Sequence, residues 1–596
     1  MPAHPRLSKT DQLHTWWHET GVVNTTSRVR EDQVRMSRRY RVQVRPFQQD
    51  KAEFFDSFVY EAIPRSGNGK IATPLDHPDP KPFIHKDGDG ITAFEEEAFI
   101  NMAWSQFLYK CKVQVRISSS DACIRLGTDV TIRPGIHNLQ TETEKDTGAL
   151  LITIPWQEGG FRFSVEFKDD LIQYRSNGKT YVYEEKDKDH SLVGEEPKNA
   201  LLIFASPFLP EAMTPRMTEA NTTRMTPGPI RPGDWGSREI LHFPPGVYWL
   251  DSAQEGESPR LGQMHIRLAP ETNWVHLDAG AYVKGAIEYF TQADDFYATG
   301  HGVLSGEHYV YQANPFKSYH SHKDDEYSLR MWWHLHLVDN QTWHCAGPTI
   351  TAPPFNTMDF KPENRCGSEI RDYKQVGAYF FQTDGPQLYS RSKVEDVFYH
   401  ANDDAIKTYH SNATVSRATI WKGPNDPVIQ MGWDGRNVQN VKIEDLWIIH
   451  TRYIKQDKAV PAAIVGASEF YSDQKTLPEL DKNIHLTVKN VRCEGPAPAL
   501  LGITPLQNYD LLAIENVTFT DPLQDCAGTS FVKPVVSSHR DIKMNIQIKD
   551  WTIQGKPVTM ENFRVASDKE SGDEKQIGRL DIDVQHWKKW NIGKSG

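Results

Sequence analysis

Short runs of β-branched and aromatic residues, separated by turn-type residues, organise the first two hundred positions of this chain. VRMSRRYRVQV from Val34, FFDSFVYEAI from Phe54, VQVRISSS from Val113, ALLITIPW from Ala149, FRFSVEF from Phe161, LIQYR from Leu171 and NALLIFASPF from Asn199 all read as strands. No long helical periodicity intervenes, so the pattern predicts a β-sandwich. A stretch rich in Pro, Thr and Gly follows, FLPEAMTPRMTEANTTRMTPGPIRPGDWGS, and reads as a linker or draped loop. It places a boundary near residue 210, giving an N-terminal sandwich over 1–210 and a second domain over 211–596.

The second domain repeats itself. IRDY from Ile370, VEDV from Val394, VSRA from Val415, IEDL from Ile443, VKNV from Val488, IENV from Ile514 and IKDW from Ile548 share one design: a β-branched residue, a polar one, usually Asp or Asn, then an apolar one. The offsets are 24, 21, 28, 45, 26 and 34, the 45 reading as two turns or as one turn with an inserted loop. Recurrence at this spacing marks a solenoid, and strands in each unit make it a parallel β-helix. Asp and Asn suit its corners because they tolerate left-handed backbone. Ile443, Val488, Ile514 and Ile548 are then expected in aligned inward rows. A large antiparallel sheet protein is the alternative, which seven recurrences disfavour.

Composition narrows the function. The 596 residues carry 67 Lys plus Arg against 79 Asp plus Glu, a net charge of −12, which opposes a nucleic-acid partner. No apolar run approaches the ~18 residues of a membrane span. The start, MPAHPRLSKT, lacks the apolar core of a secretory signal. Cys111, Cys123, Cys345, Cys366, Cys493 and Cys526 are scattered without a CxxC, so neither metal nor cofactor is expected; disulfides 111–123 or 345–366 and free buried thiols fit equally. The 16 Trp, 22 Tyr and 26 Phe on an acidic, polar chain suit carbohydrate, whose C–H faces pack on rings while hydroxyls meet carboxylates.

One segment concentrates the candidate chemistry. Asp384 lies in QTDG, and the pair Asp403–Asp404 follows nineteen residues later in NDDAIK, about one coil away. Three carboxylates stacked on adjacent coils cannot all ionise freely, so one retains a proton. A protonated acid beside ionised bases is what glycoside hydrolysis requires. Each Asp alone reads equally as a turn residue; the one-coil spacing carries the functional reading. Lys407 suits substrate hydroxyls or a solvated surface, and His400, Tyr409 and His410 are ligands or packed turn residues. Trp332, Trp333, Trp343 and Trp433 are sugar platforms or buried core, Trp433 being the favoured platform because Gly432 and DGRN place it in a turn. The pair Trp16–Trp17 reads as structural, and the GHG at 300–302, a hundred residues before the acids, as a β-helix turn.

LHTWWHETG (13–21), NMAWSQFLY, NALLIFASPFLP, FPPGVYW, GAYVKGAIEYF, ATGHGVLSGE, TAPPFNTMDF, DYKQVGAYFFQTDGP, NDDAIK and VIQMGW, in this order, resemble glycoside hydrolase family 49 over nearly the whole chain. Within it, EYFTQADDFYATGHGVLSGEHYVYQANPF and GWDGRNVQNVKIEDLWIIHTRYIK are most similar to the fungal dextranases, isopullulanase being more distant. The resemblance implies an all-β fold, an N-terminal β-sandwich followed by a right-handed parallel β-helix, and metal-free hydrolysis of internal α-glucosidic bonds with inversion. It implies Asp403 as general acid and Asp384 and Asp404 activating water. Lys407, Trp433, Tyr409, Gln387, His400 and Lys374 are the expected substrate-binding residues. Gln387 departs from the family, which tends to have Glu there. A secreted monomer acting on dextran is the implied setting. The alternatives are α-1,4 cleavage in pullulan, pectin hydrolysis, which the acidic balance opposes, and a non-catalytic glucan-binding protein.

Overall fold

The computed structural model describes residues 5–25, 29–47, 53–62, 86–87, 90–91, 100–119, 130–176, 181–183, 191–250, 264–317, 319, 328–380, 382–423, 425, 427–432, 434–451, 463–467, 479–497, 499–503, 507–521, 529–532, 543–558, 564–566, 580–584 and 590–592. Trp433, Cys123 and Cys526 lie outside them. No helix among the described residues is long and apolar enough to cross a membrane.

The N-terminal part is two facing sheets. One runs Leu13–His14, Asn101–Tyr109, Asn199–Ser206, Phe161–Phe167, Val130–Arg133, with Val59–Ala62 also on Asn101–Tyr109; the other runs Gln140–Thr143, Leu150–Ile154, Val113–Ser119, Tyr40–Pro46, Phe55–Ser57. Val42, Val44, Val115, Ile117, Ile152, Phe163, Val165, Leu201 and Ile203 meet in the core between them. The next residues along the same strands, Trp104, Leu202 and Phe204, face the other way and pack on Tyr282, Val376, Phe398 and Trp421 of the second domain. Burial on both sides explains why NALLIFAS is an unbroken apolar run instead of an alternating one.

The solenoid begins inside the stretch whose composition reads as a linker. Thr222–Arg224 and Gly228–Ile230 are its first strands, pairing in parallel with Ile240–Phe243 and Gly246–Leu250. Thr and a single Pro at an edge are compatible with short strands, and Pro/Gly content masked them. From there the coils stack in parallel. Ile370, Val394, Val415, Ile443, Val488, Ile514 and Ile548 form one continuous register, all nearly inaccessible to solvent. Val438–Thr451 pairs directly with Glu479–Cys493, so the offset of 45 is one coil with added length.

The polar position of the repeat makes the corner. Asp372, Asp396, Arg417, Asp445, Asn490, Asn516 and Asp550 all adopt positive φ, between 50° and 56°. Asn and Asp do so at little steric cost, and stacked side chains reward them: Asn490 donates to Asp445 (3.0 Å), and Asn516 to Asn490 (2.9 Å). Arg417 is the exception and is held by bidentate hydrogen bonding to Asp396 (2.7 and 3.0 Å). In the earlier coils the same corner is Gly300 and Gly347. A Cβ on Gly300 would stand 1.9 Å from the Leu277 carbonyl oxygen, so the GHG motif is a packing requirement. Its His301 is buried toward Gln106 and Asp372.

Between the domains lies a buried polar seam. Asp372 takes Arg162 at 2.5 Å and Lys374 at 3.0 Å, and Trp421 donates to Glu196 at 2.7 Å. Burial would raise the Glu166 carboxyl, but His450 (2.6 Å) and Arg133 (3.1 Å) outweigh it and hold it at about 2. Cys345, Cys366 and Cys493 are buried free thiols and Cys111 a partly exposed one, so the 345–366 disulfide does not form.

Candidate active site

The carboxylates sit on turns that leave one sheet row of the solenoid and enter the next. Asp384 lies between Lys374–Val376 and the coil that follows; Asp403 and Asp404 come directly after Lys393–Ala401, and Lys407 lies in the short strand Ile406–Lys407. The two turns stack on each other: Asn402 N–H donates to Thr383 O (3.2 Å) and Gly385 N–H to Asp404 O (3.0 Å). The structure thus brings together the three acids that the one-coil spacing pairs. They are almost enclosed, Asp384 at 7%, Asp403 at 4% and Asp404 at 3% exposure.

Each acid has different company. Asp384 receives Lys407 Nζ at 2.7 Å. Asn356, in the orientation that satisfies both its polar atoms, donates its amide to Asp384 Oδ1 (2.7 Å) and Oδ2 (3.2 Å) and to Gln382 O (2.6 Å). Asp403 accepts three N–H groups, from Gln382 (3.0 Å) and Asn425 Nδ2 (2.6 Å) on Oδ2 and from the Asp404 backbone (2.9 Å) on Oδ1. Asp404 receives the Tyr409 hydroxyl (3.1 Å), while its Oδ1 is buried without a hydrogen-bond partner among the described residues. Burial, reinforced by the negative charges of Asp403 and Asp384, pushes the Asp404 carboxyl well above the usual carboxylate range. Lys407 shows the converse. Burial disfavours its charge, yet Asp384 and Asp404 outweigh that and raise its proton affinity. Burial and like charge thus favour a proton on Asp404, beside a Lys407 ammonium ion whose charge is favoured by the same acids.

Other candidate residues divide by strand parity. Tyr409 and Gln387 join the site, Gln387 through a bridge to Lys407. Arg436 stacks over the Tyr409 ring at 4.3 Å. His400 and Lys374 do not join it, which corrects their reading as substrate ligands. His400 shares the outward face of its strand with Phe398 and packs between Tyr379 and Trp421 at the domain seam, its Nδ1 accepting from Ala378 N–H. Lys374 is inaccessible, its ammonium spent on Gly347 O, Asp372 O and Asp372 Oδ2. Trp332, Trp333 and Trp343 are core residues, none above 1% exposed, and not platforms. His410 bonds Glu363 (2.9 Å).

Asn356, Gln382 and Asn425 escape a search for charged or aromatic residues. One signal could have found them. Gln382 lies 21 residues before Asp403 and Asn425 22 after it, each one coil away.

Family comparisons agree with this architecture. The model described as the glycosyl hydrolase family 49 N-terminal Ig-like domain matches residues 6–208, and the glycosyl hydrolase family 49 model matches 473–593. Between them, a beta solenoid repeat from dextranase matches 354–385 and an isopullulanase beta-solenoid repeat 421–453. The chain is 51% identical to a dextranase of Talaromyces minioluteus over 600 aligned positions, 99% of this chain and 95% of the relative. It is 34% identical to an isopullulanase of Aspergillus niger, over 96% of this chain and 93% of the relative. The solved structure of Dex49A from Penicillium minioluteum superposes with a TM-score of 0.84 at 48% identity, covering 98% of this chain and 100% of that one. With end-to-end identity of this order and a sandwich-plus-solenoid fold, the chain belongs to glycoside hydrolase family 49.

Proposed function

We propose that this protein is an endo-acting hydrolase of internal α-1,6-glucosidic bonds in dextran, working by single displacement with inversion. The observation that carries the reading is the juxtaposition of Asp384, Asp403 and Asp404 on consecutive coils, with Asp384 paired to Lys407. The dextranase relatives supply the linkage. In the proposed step Asp403 gives its proton to the glycosidic oxygen as the C1–O bond breaks. Water attacks C1 from the opposite face and loses its proton to Asp384 or Asp404, leaving a β-configured hydroxyl on the new reducing end. Lys407 orients Asp384, and Tyr409 and Gln387 line the bound sugar. The chemistry belongs to residues 211–596, with 1–210 as a supporting domain. One chain supplies both acid and base, so a monomer suffices. A polymeric substrate places the protein outside the cell.

A second assignment of the proton is favoured by the resting site. Asp403 is ringed by N–H donors, which stabilise a carboxylate, whereas Asp404 holds the proton. The roles within the pair would then be exchanged, with the same overall reaction.

The test is digestion of a glucan panel with product chromatography and proton NMR on fresh digests. Shortening of dextran with the β-anomer appearing first is expected. Cleavage of pullulan with dextran intact would remove the α-1,6 assignment, and initial α-anomer would remove inversion.

A further inference from the structure

Gln382 links several groups around the three acids. Its side-chain Oε1 accepts both the Tyr311 hydroxyl (2.6 Å) and the Gln312 amide (2.7 Å), which come from the segment that follows the strand Val303–Ser305. Its backbone N–H donates to Asp403 Oδ2 (3.0 Å). Its backbone carbonyl accepts the Asn356 amide (2.6 Å), and that same amide donates to Asp384. One residue thus reaches two of the three acids through its backbone. The backbone is left-handed, φ 57°, a conformation that a long unbranched side chain does not favour by itself. In that conformation its N–H points to Asp403 while its C=O takes the Asn356 amide that also serves Asp384.

We propose that Gln382 is a positioning residue, whose anchored side chain holds a strained backbone that orients Asp403 and Asp384 and thereby ties their proton affinities to the seating of the Tyr311–Gln312 segment. Two short hydrogen bonds saturate the acceptor lone pairs of Oε1 and fix the side chain. Tyr311 is itself fixed against Phe380, ring centroids 5.4 Å apart, on the turn that carries Gln382. Without the anchor the backbone relaxes toward the common regions of conformational space. The N–H then leaves Asp403, and the carbonyl no longer braces Asn356. Loss of an N–H donor disfavours the carboxylate form, so the Asp403 titration moves to higher pH. The inference rests on the reading that Asp403 and Asp384 are reacting groups.

The experiment compares pH–rate profiles on dextran for Gln382→Ala, Gln382→Gly and Tyr311→Phe, with Asp403→Asn as control. Gln382→Ala is expected to lower kcat by about 10–100-fold, the usual cost of removing an orienting outer partner, with KM little changed and one limb of the profile moved upward. Gln382→Gly adopts left-handed backbone freely and should recover part of that loss. Tyr311→Phe keeps the ring contact but removes one donor, and should give a smaller shift in the same direction. A Gln382→Ala enzyme with wild-type kcat and profile overturns the proposal. So does a lower kcat that tracks a lower melting temperature with an unmoved profile, because that is a merely structural role. If Asp403→Asn stays active, the catalytic reading itself fails, whatever Gln382 does.

Discussion

Gly385 presses against Ala405 so closely that a Cβ on it would stand 2.1 Å from the Ala405 carbonyl oxygen. That contact is where the turn bearing Asp384 lies on the turn bearing Asp403 and Asp404. Gly385→Ala must therefore push the two turns apart. The expected result is a loss of dextran-hydrolysing kcat of roughly 10²-fold, since displacement by about 1 Å costs that much at a positioned site. Steady-state kinetics beside a melting curve checks it; a fully active Gly385→Ala protein would show that the turns can separate harmlessly.

Substrates with different leaving groups separate the acid from the bases. If Asp403 is the acid, Asp403→Asn loses about 10²–10⁴-fold on dextran, the usual range for general-acid catalysis, and much less on an activated aryl glucoside. Asp384→Asn and Asp404→Asn lose both substrates alike, because water attack is always needed. The opposite pattern, with Asp404→Asn sparing the aryl glucoside, establishes the exchanged assignment.

The same Asp404 makes a prediction about stability. Its proton affinity is raised in the fold by burial and by the charges of Asp403 and Asp384, so its ionised form is what folding disfavours. That penalty is absent below the unfolded carboxyl range, where both states are protonated, grows as pH rises from there to the raised folded value, and is constant above it. Asp404→Asn should consequently melt above the wild type at neutral pH, by on the order of 0.5–2 kcal/mol, the range seen when a strained site group is neutralised. The advantage should vanish near pH 3. Equal melting temperatures at pH 7 would refute it.

At the domain seam the sign is reversed. Burial disfavours the Asp372 charge, but Lys374, Arg162 and His301 together outweigh it and lower its proton affinity. Asp372→Asn keeps a corner residue tolerant of positive φ while stripping two buried cations of their counter-charge. A cost of about 3–5 kcal/mol follows, as for other broken buried ion pairs. Calorimetry should show the loss at neutral pH and its shrinkage in acid, where the wild-type carboxylate is protonated as well.

Much of this architecture is legible in the sequence because the corner of every coil imposes the same steric demand, which Asp and Asn meet at Asp372, Asp445, Asn490 and Asn516. Periodicity also finds the acids, since Asp384 and Asp403 differ by one coil. Reading failed where composition stood in for geometry. Thr222–Arg224 and Gly228–Ile230 looked like linker because Pro and Gly surround them. His400 and Lys374 were drawn in by proximity along the chain, although the parity shared with Phe398 and Val376 turns them to the seam. The amides of Asn356, Gln382 and Asn425 carry no charge, and their roles exist only once the coils stack.

The corner ladder has an architectural consequence. Coil lengths from 21 to 45 residues all return to the same left-handed step, so variation is absorbed elsewhere in each turn. In the longest coil, Val438–Thr451 still pairs in register with Glu479–Cys493, and Ala463–Ala467 still pairs in parallel with Ile429–Gln430. One edge of the solenoid keeps time while the other is free to lengthen. Coils can thus differ in length, one by one, with the register of the stack untouched, and what they carry can change without the fold having to follow.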